Sequence, residues 1–261
     1  HTIMEIHRSM DLKQVQAVVS KVNAGSNVHQ HLDLIAGLPY EDLNSFQQSF
    51  NAVYAMEPDQ LQLGFLKVLS GSYMHTHKEE YGLVCQDRPP YEVLYTKWLS
   101  YADICMLKKV VTVLELYYNS GQFRCTMQCL VRKFETPYHC YEALGVFYEA
   151  GRKNGEKHNR LTQYKILLAF IQKVLEKQSE AVQRESQVFQ ELLTLDVYLR
   201  DNSKTRPEFA PDLSLRKDAI YNFYKQEEQQ RRYLPDYEGY HYKQLVKMTH
   251  LERFSCNLFD F

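Results

Sequence analysis

Two His-x-His pairs, His29 with His31 and His75 with His77, are the first residues in the chain whose types and spacing suggest chemistry. Residues two apart in an extended chain point to one side, so each pair could offer two imidazoles to a metal. Neither has a convincing third ligand. No cysteine or carboxylate stands at a suitable spacing beside the first pair, and Glu79 and Glu80 beside the second lie in a polar stretch. Non-ligand roles are expected for all four. Cys125-x3-Cys129 places two thiols one helical turn apart. Cysteines four apart on a helix read as small buried residues. The six cysteines, Cys85, Cys105, Cys125, Cys129, Cys140 and Cys256, are scattered, which suits a reducing cytoplasm better than a disulfide framework. Gly-x-Ser-x-Gly, phosphate-binding glycine loops and His-Glu-x-x-His do not occur. Arg152-Lys153 and Arg231-Arg232 have acids nearby and read as solvated surface.

Two glycine-bearing turns hold more promise, and both depend on the elements around them. An apolar run of strand length, His31 to Ala36, ends at Gly37-Leu38-Pro39. Glu41 and Asp42 then open a helical pattern of about four turns to Met56. Pro58-Asp59 breaks it, and a second apolar run, Gln60 to Leu69, ends at Ser70-Gly71-Ser72. Strand, helix and strand at this spacing predict a parallel βαβ unit, whose ligands sit at the carboxyl ends of the strands. Alternation along the strands would carry His31, Asp33, Gln62, Gly64 and Lys67 onto inner faces. Lys67, near the end of the second run, is the best candidate for a substrate contact. An earlier helix, capped by Asp11, should run to about Asn23 with Leu12, Val15, Val18, Val19 and Val22 on one face.

Asp33-Leu34-Ile35-Ala36-Gly37-Leu38-Pro39-Tyr40-Glu41 resembles the fifth strand and following loop of radical S-adenosylmethionine (SAM) enzymes, with Tyr40 where a second glycine is usual. Lys67 to Met74 resembles their sixth-strand ending, with Ser70 in place of proline and Ser72 in place of threonine. The chain is most similar to the subgroup with an upstream cobalamin-binding domain and a helical carboxyl-terminal domain of unknown function. The resemblance implies that Ile35, Gly37, Pro39, Glu41, Gly71 and Ser72 approach the adenine of SAM, and that Arg8 lies near its carboxylate. It places Lys67 and His31 toward substrate. It also implies a [4Fe–4S] cluster on a Cys-x3-Cys-x2-Cys loop that this sequence lacks, so the cluster ligands, and a cobalamin domain, are expected upstream of His1. The chain begins at His1 inside a helical stretch and reads as the carboxyl-terminal part of a longer protein, inactive alone, with its own upstream part as partner. Two parallel strands without neighbours would leave an apolar edge, so self-association is expected.

The expected architecture is α/β plus mainly α. Residues 1–75 would be the last βα units of a partial (β/α)6 radical SAM barrel, 76–90 a linker, and 91–261 an α-helical domain of unknown function. Helices are predicted over 102–119, 121–133, 137–151, 159–177, 179–199 and 213–230, and a last one over 239–249. The 261 residues are 44% hydrophobic, enough for a core. A net charge of −1 gives no reason to expect nucleic acid or an anionic membrane, and no apolar run approaches the ~20 residues of a membrane span. Twenty tyrosines predict half-buried rings at helix seams, since a buried phenol needs a hydrogen-bond partner. The competing expectation is a helical protein-interaction module using that tyrosine-rich face. A third is a non-iron enzyme working through Lys67 and His31.

Overall fold

The structure is a computed structural model and describes residues 2–5, 11–25, 28–151, 159–178, 182–200 and 206–258. It is mainly α, 60% helical with few short strands. In chain order the elements are α1 (Thr2–Glu5), α2 (Leu12–Gly25), β1 (His31–Ala36), α3 (Leu43–Tyr54), β2 (Gln60–Phe65), α4 (Tyr73–Thr76), β3 (Val84–Cys85) and β4 (Val93–Tyr95). Next come α5 (Tyr101–Leu114), a π-helical turn (Glu115–Asn119), α6 (Arg124–Val131), α7 (Pro137–Gly151), α8 (Arg160–Gln178), α9 (Val182–Arg200), α10 (Lys217–Gln230) and α11 (Tyr242–Met248). Compactness divides the chain into two units, His1–Gly121 with Leu130–Glu156, and Gln122–Cys129 with Lys157–Phe261.

The first unit is built on the βαβ motif. β1 and β2 are parallel, pairing His31 with Gln60 through to Ala36 with Phe65. Asp42 caps α3 by accepting from Ser45 N at 2.8 Å, which satisfies one of the amides that a helix start leaves unpaired. α3 buries Phe46, Phe50 and Val53, spaced four and three apart, and the Phe50 ring meets the edge of Tyr138 with centroids 5.6 Å apart. Complete burial of one such ring contributes about 1.5–3 kcal/mol. α5 buries Ile104, Leu107, Val110, Val113 and Leu114 and packs against α7. Gly145 lets their backbones approach, since a Cβ there would lie 3.1 Å from the Lys109 carbonyl. Tyr117, Tyr138 and Tyr141 are at most 1% exposed. These three enter the core outright, while Tyr54, Tyr118 and Tyr198 are half-buried as expected.

The strand expected to reach Leu69 stops at Phe65 because the chain beyond it changes partner. Val93 N donates to Leu66 O at 2.9 Å and Val68 N to Tyr91 O at 3.1 Å, so the segment before β4 runs antiparallel beside Leu66–Val68. The other edge of β2, away from β1, is closed at its start by a side chain: Asn119 Oδ1 accepts from Leu61 N at 2.9 Å, and its Nδ2 donates to Leu61 O at 3.0 Å. The carboxamide thus takes the place of a strand. The stretch 76–90, expected as a linker, packs instead. Tyr81 and Leu83 lie in a core cluster with Leu66, Val68, Val93 and Leu99, and β3 pairs with β4 as an antiparallel hairpin. Among the described residues the parallel sheet has two strands, so no barrel is formed by this unit alone.

The second unit is held together by buried carboxylates. α8 packs along α9. Asp196 of α9, 3% exposed, accepts from Cys125 N and Thr126 N at 2.9 Å each and from Thr126 Oγ1 at 2.6 Å. It caps the first turn of α6 from another helix. Glu191 accepts from Ser255 N at 2.9 Å and fastens the carboxyl-terminal tail, while Glu227 accepts from Tyr233 N and Leu234 N at 2.8 and 3.0 Å. Arg206 and Glu252 form an ion pair. The helix expected over 213–230 opens with a 3-10 turn at Ser214–Arg216, and the last helix starts at Tyr242 behind a His241–Gln244 capping box.

Candidate functional site

The residues with most chemical promise gather where the parallel strands end. The loop after β1 makes two left-handed turns. Gly37 has φ +92, and a Cβ there would fall 2.6 Å from Val93 Cγ1. Tyr40 has φ +62, a conformation that glycine adopts freely and a tyrosine only under strain. Its ring, still 46% exposed, leans on Trp98 with centroids 4.7 Å apart and meets Tyr81 edge-on at 6.2 Å. Tyr81 is buried and hydrogen-bonded to the Glu5 carboxylate. That acceptor, with the Tyr73 hydroxyl 3.2 Å away, raises the Tyr81 phenol well above its usual range. Tyr73 stacks on His77 at 3.9 Å. An aromatic wall therefore borders the strand ends, and sequence reading missed it because three of its members follow the presumed domain boundary.

Glu41 closes the same loop. Burial, opposed by a hydrogen bond with Ser49 and reinforced by the neighbouring Asp42, pushes its carboxyl up to about 7. Its Oε2 is buried without a partner, which favours the neutral acid. After β2, Gly71 has φ +79, with open space where a Cβ would stand. Ser72 caps α4, its hydroxyl accepting from His75 N at 3.3 Å and donating to Leu69 O at 2.7 Å. The two turns singled out from sequence thus follow adjacent strand ends, as a βαβ ligand site requires. Gly37 and Pro39 are buried, whereas Gly71 is open.

The two faces of the sheet differ. Leu61 and Leu63 are buried, while His31, Asp33, Ile35 and Gln62 form an exposed, mostly polar face. Parallel sheets are ordinarily covered on both sides. His31 opens β1, whereas Lys67 lies seven residues beyond its register partner Gln60 and bridges Glu92 through the backbone. At about 3.3 Å per residue the two are some 23 Å apart, so the structure does not unite them in one site. Arg8 lies outside the described residues.

His29 Nδ1 stands 3.6 Å from Asp59 Oδ2, an oxygen already accepting from Gln30 N at 2.8 Å. Among the described residues no group of three His, Cys, Asp or Glu side chains can hold a metal ion. Cys125 is pushed up to about 12 by burial and by Asp196, and burial raises Cys140 further. Both thiols therefore keep their protons at neutral pH in this fold. Among the described residues no helix is long and apolar enough to cross a membrane.

Fold and site define the class as a mainly α protein carrying a parallel βαβ unit, with aromatic residues from the segment that follows bordering the carboxyl ends of its strands. A family of proteins of unknown function, DUF4080, matches residues 79–260, and the chain belongs to it. No curated protein matches the chain.

Proposed function

We propose that residues 1–75 are the last βα units of a radical SAM barrel and that the region after them is the helical domain found in the cobalamin-type subgroup. The complete protein would then cleave SAM reductively or transfer a methyl group with cobalamin's help. Tyr40 carries the reading: where the resembling enzymes have glycine, this chain has a tyrosine in a glycine's left-handed conformation. A backbone path kept at the cost of strain signals a loop whose shape matters. The uncovered polar face of β1 and β2 supports the same reading, as do the ligand-end turns and a domain of unknown function that starts at residue 79. The cluster has no ligands in this chain, so the residues here would serve SAM's nucleoside and the substrate only. The test is anaerobic iron and sulfide reconstitution of the protein encoded by the whole reading frame. Formation of 5′-deoxyadenosine or of a methylated product supports the reading. A frame without Cys-x3-Cys-x2-Cys refutes it.

The second reading, a helical protein-interaction module, is favoured by Tyr221, Tyr233 and Tyr240, all at least 40% exposed. It predicts a partner captured by the chain and lost when these three tyrosines become serine.

A further inference from the structure

We propose that residues 81–99, at the start of the DUF4080 region, form a collar that positions the Gly37–Glu41 loop, with Val93 and Trp98 as its positioning residues. Three observations support this. The Val93 side chain, fully buried, fills the space that a Cβ on Gly37 would need, so the first left-handed turn closes on the collar. Trp98 lies against the Tyr40 ring, so the second turn, strained in itself, is held by stacking. The collar is also anchored to the sheet and internally rigid. Val93 N donates to Leu66 O, which follows β2 directly. Thr96 Oγ1 accepts from both Trp98 N and Leu99 N at 3.0 Å, and Lys97 N donates to Tyr81 O at 3.2 Å. This gives part of a domain of unknown function a task at the ligand end of the strands. The importance of that loop for SAM rests on the function proposed above.

A double-mutant cycle read by hydrogen exchange tests the collar in the full chain. Trp98→Ala should raise exchange across residues 37–42 about tenfold, the scale of one lost aromatic pair, while the core of α7 stays protected. Trp98→Phe should restore most of the protection. In a Tyr40→Gly background, where glycine holds the left-handed turn unaided, Trp98→Ala should change exchange less than twofold. Unchanged loop exchange in Trp98→Ala overturns the proposal, and so does an equal rise in both backgrounds. If Trp98→Ala fails to fold, Trp98→Leu in the two backgrounds gives the same comparison. Equilibrium dialysis with SAM separates the two claims. Binding by the wild type that is weakened about tenfold by Trp98→Ala, and regained when Tyr40→Gly is added, supports both. The exchange pattern without SAM binding retains the collar and removes the ligand.

Discussion

Replacing Glu41 by glutamine should stabilise the first unit, and only at neutral or alkaline pH. The carboxyl is held at about 7 against a usual value near 4.5, because ionising it leaves a buried charge with one unpartnered oxygen. The native state therefore keeps its proton while the unfolded chain has lost it. Stability from this group is complete below about pH 4.5 and is lost as pH rises to about 7. At about 1.36 kcal/mol per pKa unit, the whole loss is about 3 kcal/mol. Glutamine has the same shape, keeps an acceptor for Ser49 and carries no charge. The variant should exceed the wild type by under about 1 kcal/mol at pH 5 and by about 3 kcal/mol at pH 8. Urea titrations followed by fluorescence measure this directly, since Trp98 is the single tryptophan and lies in the same unit as Glu41. An advantage of equal size at both pH values would refute the reasoning, because loss of charge would then not be its source.

Gly37→Ala should cost about 2–4 kcal/mol, combining a left-handed penalty with overpacking against Val93. Adding Val93→Ala should relieve the clash but not the backbone penalty, and denaturation midpoints of the pair decide this. Asp196→Ala strands the half-buried Cys125 amide and the buried Thr126 amide and hydroxyl, a loss of about 3 kcal/mol, to be read from thermal unfolding by circular dichroism. A loss below about 1 kcal/mol would show that α6 does not need this cap. Asn119→Ala removes both hydrogen bonds to Leu61 at about 1–3 kcal/mol, and the Leu61 amide should become the fastest-exchanging one of β2.

Local signals carried much of the fold. β1 was legible residue for residue, because an apolar run bounded by Gln30 and Gly37 leaves no other reading, and α3 was legible from Asp42 and its Phe46–Phe50–Val53 stripe. α7 begins at Pro137 and ends at Gly151 as expected, with proline at a helix start. Long-range partners were not legible. His75 to Pro90 is polar in composition, yet Tyr81 and Leu83 are buried by Val93 and Leu99, and no periodicity announces a two-residue strand such as β3. The candidate site divides along the same line. Gly37, Glu41 and Gly71 stood out as local breaks, whereas Trp98 joins them only through a turn fixed by Thr96. The depth of Tyr138 and Tyr141 was not legible because both lie against Phe50 of α3, distant in sequence.

The carboxamide of Asn119 also bears on how copies of the chain could associate. Asn119 holds both backbone groups of Leu61, so a strand adding to the outer edge of β2 would have to displace it, which leaves the far edge of β1 as the simpler place for one to add. Two copies meeting through one such edge each satisfy the other by two-fold symmetry, and nothing remains for a third. Self-association confined to the β1 edge would therefore end at a pair, while a chain with both edges open could add copies without end.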